Sequence, residues 1–109
     1  MKNILDNPND LLIAVDMDWT LCEGEARTAE EAKNCKPKQD VIDYVNWLYL
    51  NWAHIVIFTA RDQLFYTLTQ NWLEEHWVMF HGINMKRKPW ADVYIDDKCI
   101  NIKDLPIYS

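Results

Sequence analysis

Three cysteines, Cys22, Cys35 and Cys99, are scattered through the 109 residues with no CxxC pair among them. That pattern excludes a disulfide framework or a paired-cysteine zinc site, and it fits free thiols in a reducing compartment. Positive charge is scarce too: 11 Lys and Arg against 17 Asp and Glu give a formal net charge of -6. A broad basic surface for long nucleic acid is thereby disfavoured, although a local basic pocket is not. No apolar run reaches the length of a membrane span. The run Leu11–Val15 is also too short for a signal peptide, and Asp6, Asn7, Pro8, Asn9 and Asp10 precede it directly. The expectation is a cytoplasmic protein with no membrane association. There is no internal repeat and no low-complexity segment. A chain of this size holds one modest core, so residues 1–109 are read as a single domain.

What is present is organised around Leu11-Leu12-Ile13-Ala14-Val15-Asp16-Met17-Asp18-Trp19-Thr20. Five apolar residues without polar alternation read as a strand buried on both faces. Asp16 and Asp18 would stand at its C-terminal edge, where open α/β sheets bind ligands. Two carboxylates so close repel, so a divalent metal, a lysine or a shared proton is expected between them. Strand-ending aspartates are common in turns as well, and that plainer reading holds for the stretch taken alone.

Residues 21–38 form an irregular flap, with one helical turn expected around Ala26–Ala32. Gln39–Trp52 reads as a helix, with Val41, Tyr44, Val45, Leu48 and Trp52 at helical spacing. Asp40 stands as a cap or first-turn acid, and Asn51 as the left-handed residue that ends the helix. Ile42, Trp47, Tyr49 and Leu50 make its other sides apolar as well, which points to self-association through this helix. His54–Phe58 is a second buried strand, Gln63–Trp77 a second helix, Val78–His81 a short third strand ended by Gly82, and Asp92–Ile95 the last strand. Lys86, Arg87 and Lys88 are the densest positive charge. His54, His76 and His81 have no metal-ligand spacing and are read as structural or exposed. Alternating strands and helices predict a parallel sheet in the order last-first-second-third, with helices on both faces.

Three of the strands then end in polar groups: Asp16 with Asp18, Thr59 with Arg61, and Asp96 with Asp97. In a parallel sheet these ends share one edge. Carboxylates with water suit Mg²⁺. One carboxylate can act as a nucleophile and a second as a general acid and base, while a hydroxyl and a lysine hold phosphoryl oxygens. Each element alone has an ordinary structural explanation; it is their common placement that argues for phosphoryl chemistry.

These residues also carry a resemblance. Val15-Asp16-Met17-Asp18-Trp19-Thr20-Leu21, Ile57-Phe58-Thr59-Ala60-Arg61, Lys88 and Tyr94-Ile95-Asp96-Asp97 resemble the four motifs of the haloacid dehalogenase (HAD) superfamily. The stretch from Lys88 to Lys98 resembles the small capsule-biosynthesis-type phosphatases within it. The resemblance implies a capless, Rossmann-like α/β fold and a Mg²⁺-dependent phosphomonoesterase. It implies Asp16 as nucleophile and metal ligand, and Asp18 as general acid and base with its carbonyl on the metal. Thr59 and Lys88 would grip the phosphoryl group, and Asp96 and Asp97 would complete the metal site. Trp19, Thr20, Arg61 and Lys86 are the expected substrate contacts. Lys86 rivals Lys88 for the phosphoryl, and Arg61 is alternatively a partner for Asp62 or a flap glutamate. Family members usually have glycine where this chain has Trp19, which could narrow the pocket or stack on a substrate ring.

The expected substrate is a small phosphorylated metabolite such as a sugar phosphate. A phosphatase of nucleotides or nucleic-acid ends is the first alternative, and an inactive HAD-like scaffold subunit the second.

Overall fold

The computed structural model describes residues 7–97. Strand β1 covers Leu12–Asp16. After it come the short helix α1 at Ala29–Asn34 and the longer α2 at Gln39–Leu50. Strand β2 is His54–Thr59, and a 3-10 turn at Gln63–Phe65 leads into α3 at Tyr66–Glu75. The chain then forms β3 at Gly82–Met85 and β4 at Val93–Ile95. The sheet is fully parallel in the order β3-β2-β1-β4, which is the expected order and places the ends of β1, β2 and β4 along one edge. It is a single-sheet α/β core of the Rossmann-like class, with no large inserted domain among the described residues.

The register explains how the sheet is covered. Ala14 pairs with Val56 and with Tyr94, and Asp16 pairs with Phe58, so these side chains share one face. The residues between them, Ile13, Val15, Met17, Ile55, Ile57 and Ile95, project the other way. They form one core with Val41, Val45 and Leu48 of α2 and Trp72 and Leu73 of α3. The two long helices therefore share a face where helices were expected on both. The reason is topological: β1, β2 and β3 step across the sheet in one direction, and right-handed crossovers between them put their helices on the same side. The connection from β3 to β4 crosses the opposite face as a loop, with Tyr94 Oη donating to the Pro89 carbonyl at 2.8 Å and accepting from the Ala91 N–H at 3.0 Å.

Helix α2, apolar nearly all round, is more deeply buried than its composition suggested. Val41, Ile42, Tyr44, Val45 and Leu48 are buried, Trp47 and Tyr49 half-buried, and Leu50 alone of its large apolar residues is exposed. Asp40 is a first-turn acid rather than the cap. Helix α1 starts with a side-chain cap, Thr28 Oγ1 accepting from the Glu31 N–H at 3.1 Å.

The third strand begins where the sequence reading ended it. Val78–His81 is a return segment, and β3 starts at Gly82. Val78 is occupied at the end of α3, its N–H bonding to the Leu73 carbonyl at 2.9 Å. Asn46 of α2 takes up the next groups, its Nδ2 donating to the Trp77 carbonyl and its Oδ1 accepting from the Met79 N–H, both at 2.8 Å. Val78 thus packs the core as a helix-end residue, which mimics a strand in sequence.

Both long helices end in the same way. Ala53 N–H bonds to the Leu48 carbonyl and Trp52 N–H to that of Tyr49; Val78 and Trp77 do the same with Leu73 and Glu74. These are Schellman turns, whose left-handed position favours glycine. Here tryptophan occupies it, with φ of 73° at Trp52 and 59° at Trp77. Asn51, expected to be the left-handed residue, has φ of -99°. Both indoles are exposed, 75% and 83%, so little packing offsets the backbone cost. Trp52→Gly and Trp77→Gly should each stabilise the protein by about 1 kcal/mol, read as a higher denaturant midpoint at unchanged slope.

Candidate active site at the strand ends

At the end of β1 the chain turns tightly. The Met17 carbonyl accepts from the N–H groups of Leu21 at 2.9 Å and Cys22 at 3.3 Å. Trp19 sits on the crest of this turn with φ of 67°, the conformation glycine adopts without strain. Its N–H bonds to the Gly24 carbonyl at 3.0 Å, and its own carbonyl accepts from Lys38 Nζ at 3.2 Å. Its indole is 54% exposed, so it borders the site instead of being tucked under the flap. Lys38 was not foreseen; its contact is with a backbone carbonyl 19 positions away, for which the sequence carries no signal.

Asp16 and Asp18 have different surroundings. Asp18 faces Arg61, whose Nη2 lies 2.8 Å from Oδ1 and whose Nε lies 3.2 and 3.3 Å from Oδ1 and Oδ2. The Arg61 side chain is fully buried and that of Asp18 nearly so. Arg61 also donates through Nη1 to Thr69 Oγ1 of α3 at 3.0 Å. Burial works against the guanidinium charge, but the hydrogen bonds to Asp18 more than offset it and hold the arginine above its ordinary pKa. The Ala26 N–H of the flap adds a bond to Asp18 Oδ1 at 3.3 Å. Among the described residues, Asp16 has no such cation. Burial above all, helped by Asp18, Asp96 and Asp97 as like charges and opposed by one hydrogen bond from the Met17 backbone, raises its pKa from 3.8 to about 6. Asp96 and Asp97, following β4, are thus close enough to be felt at Asp16.

Thr59 ends β2, buried, with Oγ1 accepting from the Arg61 N–H at 3.1 Å; its hydroxyl proton remains able to donate. Lys88 is exposed, its Nζ over the Tyr94 ring at 4.3 Å and the Phe58 ring at 5.9 Å, on the face of the sheet that Asp16 shares. Lys86 pairs with Asp62 across 3.6 Å at the surface. Two expected substrate contacts lie elsewhere. Arg61 is withdrawn into the core against Asp18, pairing with neither Asp62 nor a flap glutamate, and Thr20 is fully buried with no hydrogen-bond partner for its Oγ1 among the described residues.

Cys22 and Cys35 lie beside Arg61, their sulfurs 3.8 and 3.6 Å from its Nη2. The interaction between the two thiols, with the guanidinium, holds the Cys35 thiol below its ordinary range, at about 6, while the same interaction and burial push Cys22 up.

Among the described residues, no three His, Cys, Asp or Glu side chains are placed to hold a metal ion by themselves, and no helix is long and apolar enough to cross a membrane. Magnesium does not require such a cage: it keeps several waters and is commonly held by one or two carboxylates. The all-oxygen donors around Asp16 and the uncompensated repulsion there fit that mode.

No family profile and no curated protein matches the chain. A solved structure of a structural-genomics target from Vibrio cholerae is similar to it, with 25% identity and a TM-score of 0.65 over 89% of this chain and 91% of that one. Its title names no function. The likeness supports the α/β class described above.

Three substitutions test these electrostatics. Arg61→Met strands the buried Asp18 carboxylate and should cost about 3–5 kcal/mol of stability, whereas Lys86→Ala, losing a surface pair, should leave the denaturation midpoint unchanged. For Asp16 the folded pKa exceeds the unfolded one, so its contribution is fully present below about 3.8 and is lost as pH rises through about 6. In metal-free buffer at pH 7, Asp16→Asn should therefore stabilise the chain by roughly 1–2 kcal/mol, after discounting for solvent screening. That gain should disappear at acid pH in urea titrations.

Proposed function

We propose that this chain is a Mg²⁺-dependent phosphomonoesterase of the HAD type, acting on a small phosphorylated metabolite. One observation carries the reading: Asp16 stands at the end of a buried strand among three further carboxylates, with no compensating cation among the described residues. A cation is what such a group lacks. Asp16, the Asp18 backbone carbonyl and Asp96 or Asp97 would hold Mg²⁺, which when bound supplies positive charge for the phosphoryl oxygens.

The residues then divide the work. The Asp16 carboxylate attacks phosphorus and the substrate alcohol leaves, forming an aspartyl-phosphate. Asp18 gives the departing oxygen its proton and later takes one from the water that frees Asp16. Of its two oxygens, Oδ1 is committed to Arg61 and Ala26, while Oδ2 has one long contact. Oδ2 is therefore the oxygen assigned to proton transfer. Thr59 donates to the phosphoryl group, and Lys88, held over rings with no carboxylate partner among the described residues, is preferred to the Asp62-paired Lys86 as its counter-charge. The flap is the sole candidate lid among the described residues, and a small substrate fits beneath so short a segment.

A second reading, a phosphatase of nucleotides or nucleic-acid ends, is favoured by the exposed indole of Trp19 beside the strand ends, which could stack on a base. Strong salt dependence on an oligonucleotide end, absent on a sugar phosphate, would select it.

The decisive assay is hydrolysis of an aryl phosphate with Mg²⁺, with EDTA, and by Asp16→Asn. Turnover that requires the metal and falls at least about 1,000-fold in the variant is expected for a lost nucleophile. No turnover of aryl, sugar or nucleotide esters, together with no Mg²⁺ binding by calorimetry, would overturn the proposal and leave a scaffold subunit.

A further inference from the structure

Phosphomonoester hydrolysis leaves the two thiols beside Arg61 unused. Cys22 is fully buried on the turn after β1, and Cys35 is half-buried at the end of α1. The backbone brings them together: Cys22 bridges Pro37 in antiparallel fashion, and the Glu23 N–H bonds to the Lys36 carbonyl at 2.7 Å. Arg61 Nη2 lies 3.8 Å from Cys22 Sγ and 3.6 Å from Cys35 Sγ, so the two sulfurs flank one nitrogen. Cys35 also lines a cavity of about 430 Å³ in the flap, with Gly24, Ala26, Thr28 and Asn34. One sulfur thus meets a space that admits a small reagent, the other lies behind it, and a fixed positive charge serves both.

We propose that Cys35 and Cys22 are a dithiol oxidised by hydroperoxides, with Cys35 attacked first and Cys22 resolving it into an intramolecular disulfide that latches the flap. Cys35 Sγ, as thiolate, attacks one peroxide oxygen. The O–O bond breaks, hydroxide leaves, and Cys35 becomes a sulfenic acid. Cys22 Sγ then attacks the sulfenic sulfur, and its proton departs with the hydroxyl group as water. In total two thiols and one hydrogen peroxide become one disulfide and two waters. The neighbouring guanidinium favours the anionic sulfur that the first step needs. The bond closes a loop holding Gly24 and Ala26, the flap residues bonded to Trp19 and Asp18. Oxidation therefore fixes the flap on the turn that carries the site.

The test uses the full chain, reduced, treated with hydrogen peroxide, alkylated and mapped by mass spectrometry. The expected product is a peptide pair joined through Cys22 and Cys35, lighter by two hydrogens, formed within one chain, and reversed by dithiothreitol. The oxidised chain should melt several degrees higher than the reduced one, as expected for a closed loop. In Cys22→Ser the sulfenic acid should persist on Cys35 and be trapped by dimedone; in Cys35→Ser, Cys22 should stay reduced at the same dose. Linkage through Cys99 or between chains, first oxidation at Cys22, or both thiols still alkylatable at doses that oxidise Cys99, would overturn the assignment. A melting temperature that does not rise would overturn the latch. The map of the unmodified chain decides the question even where a variant does not fold, and no arm depends on phosphatase activity.

Discussion

The Arg61 guanidinium sets the geometry of the whole strand-end region. It is fully buried, and its contacts come from four parts of the chain: Asp18 on the turn after β1, Thr69 on α3, Cys22 at the base of the flap and Cys35 at its far end. A charge in that position is tolerable only while each partner remains in place. Such a pair gives little net stability compared with an apolar core. Its effect is to reject arrangements in which the flap or α3 is displaced, since any of them strands a charge away from water.

The same pair makes two aspartates of one short turn chemically unequal. Asp18 faces a compensating cation. Asp16, two residues earlier, faces burial and three like charges. Environments that push neighbouring carboxyl groups apart are how one site obtains both a nucleophile and a proton carrier. The division arises from sheet geometry: Asp16 lies on the face opposite the helical core, while the chain past it turns Asp18 inward toward Arg61.

Much of this was legible in sequence because it is local. The unbroken apolar run before Asp16, the polar ends of three strands and the alternation of strand with helix together fixed the sheet order. What was not legible is either remote or contrary to residue preference. Asp18 and Arg61 are 43 positions apart, and no spacing rule joins them, so Arg61 read as a substrate contact. Cys22 and Cys35 meet through an irregular antiparallel bridge, not a CxxC turn. The end of α2 was assigned to Asn51 because asparagine tolerates the left-handed region, yet the position falls on Trp52. Val78 read as strand because an apolar residue closing a Schellman turn onto its helix looks, in one dimension, like one entering a sheet.

The left-handed tryptophans have a consequence for how this chain can change over time. The sequence has two glycines, while among the described residues five others, Asp10, Trp19, Trp52, Trp77 and Lys86, carry positive φ. Four of these are residue types that adopt such a backbone only under strain. Each is one substitution away from relief. The fold therefore holds an unused margin of stability, distributed over its turns and not its core. A lineage could draw on that margin to tolerate damaging changes around the strand ends, where new substrate preferences would have to arise.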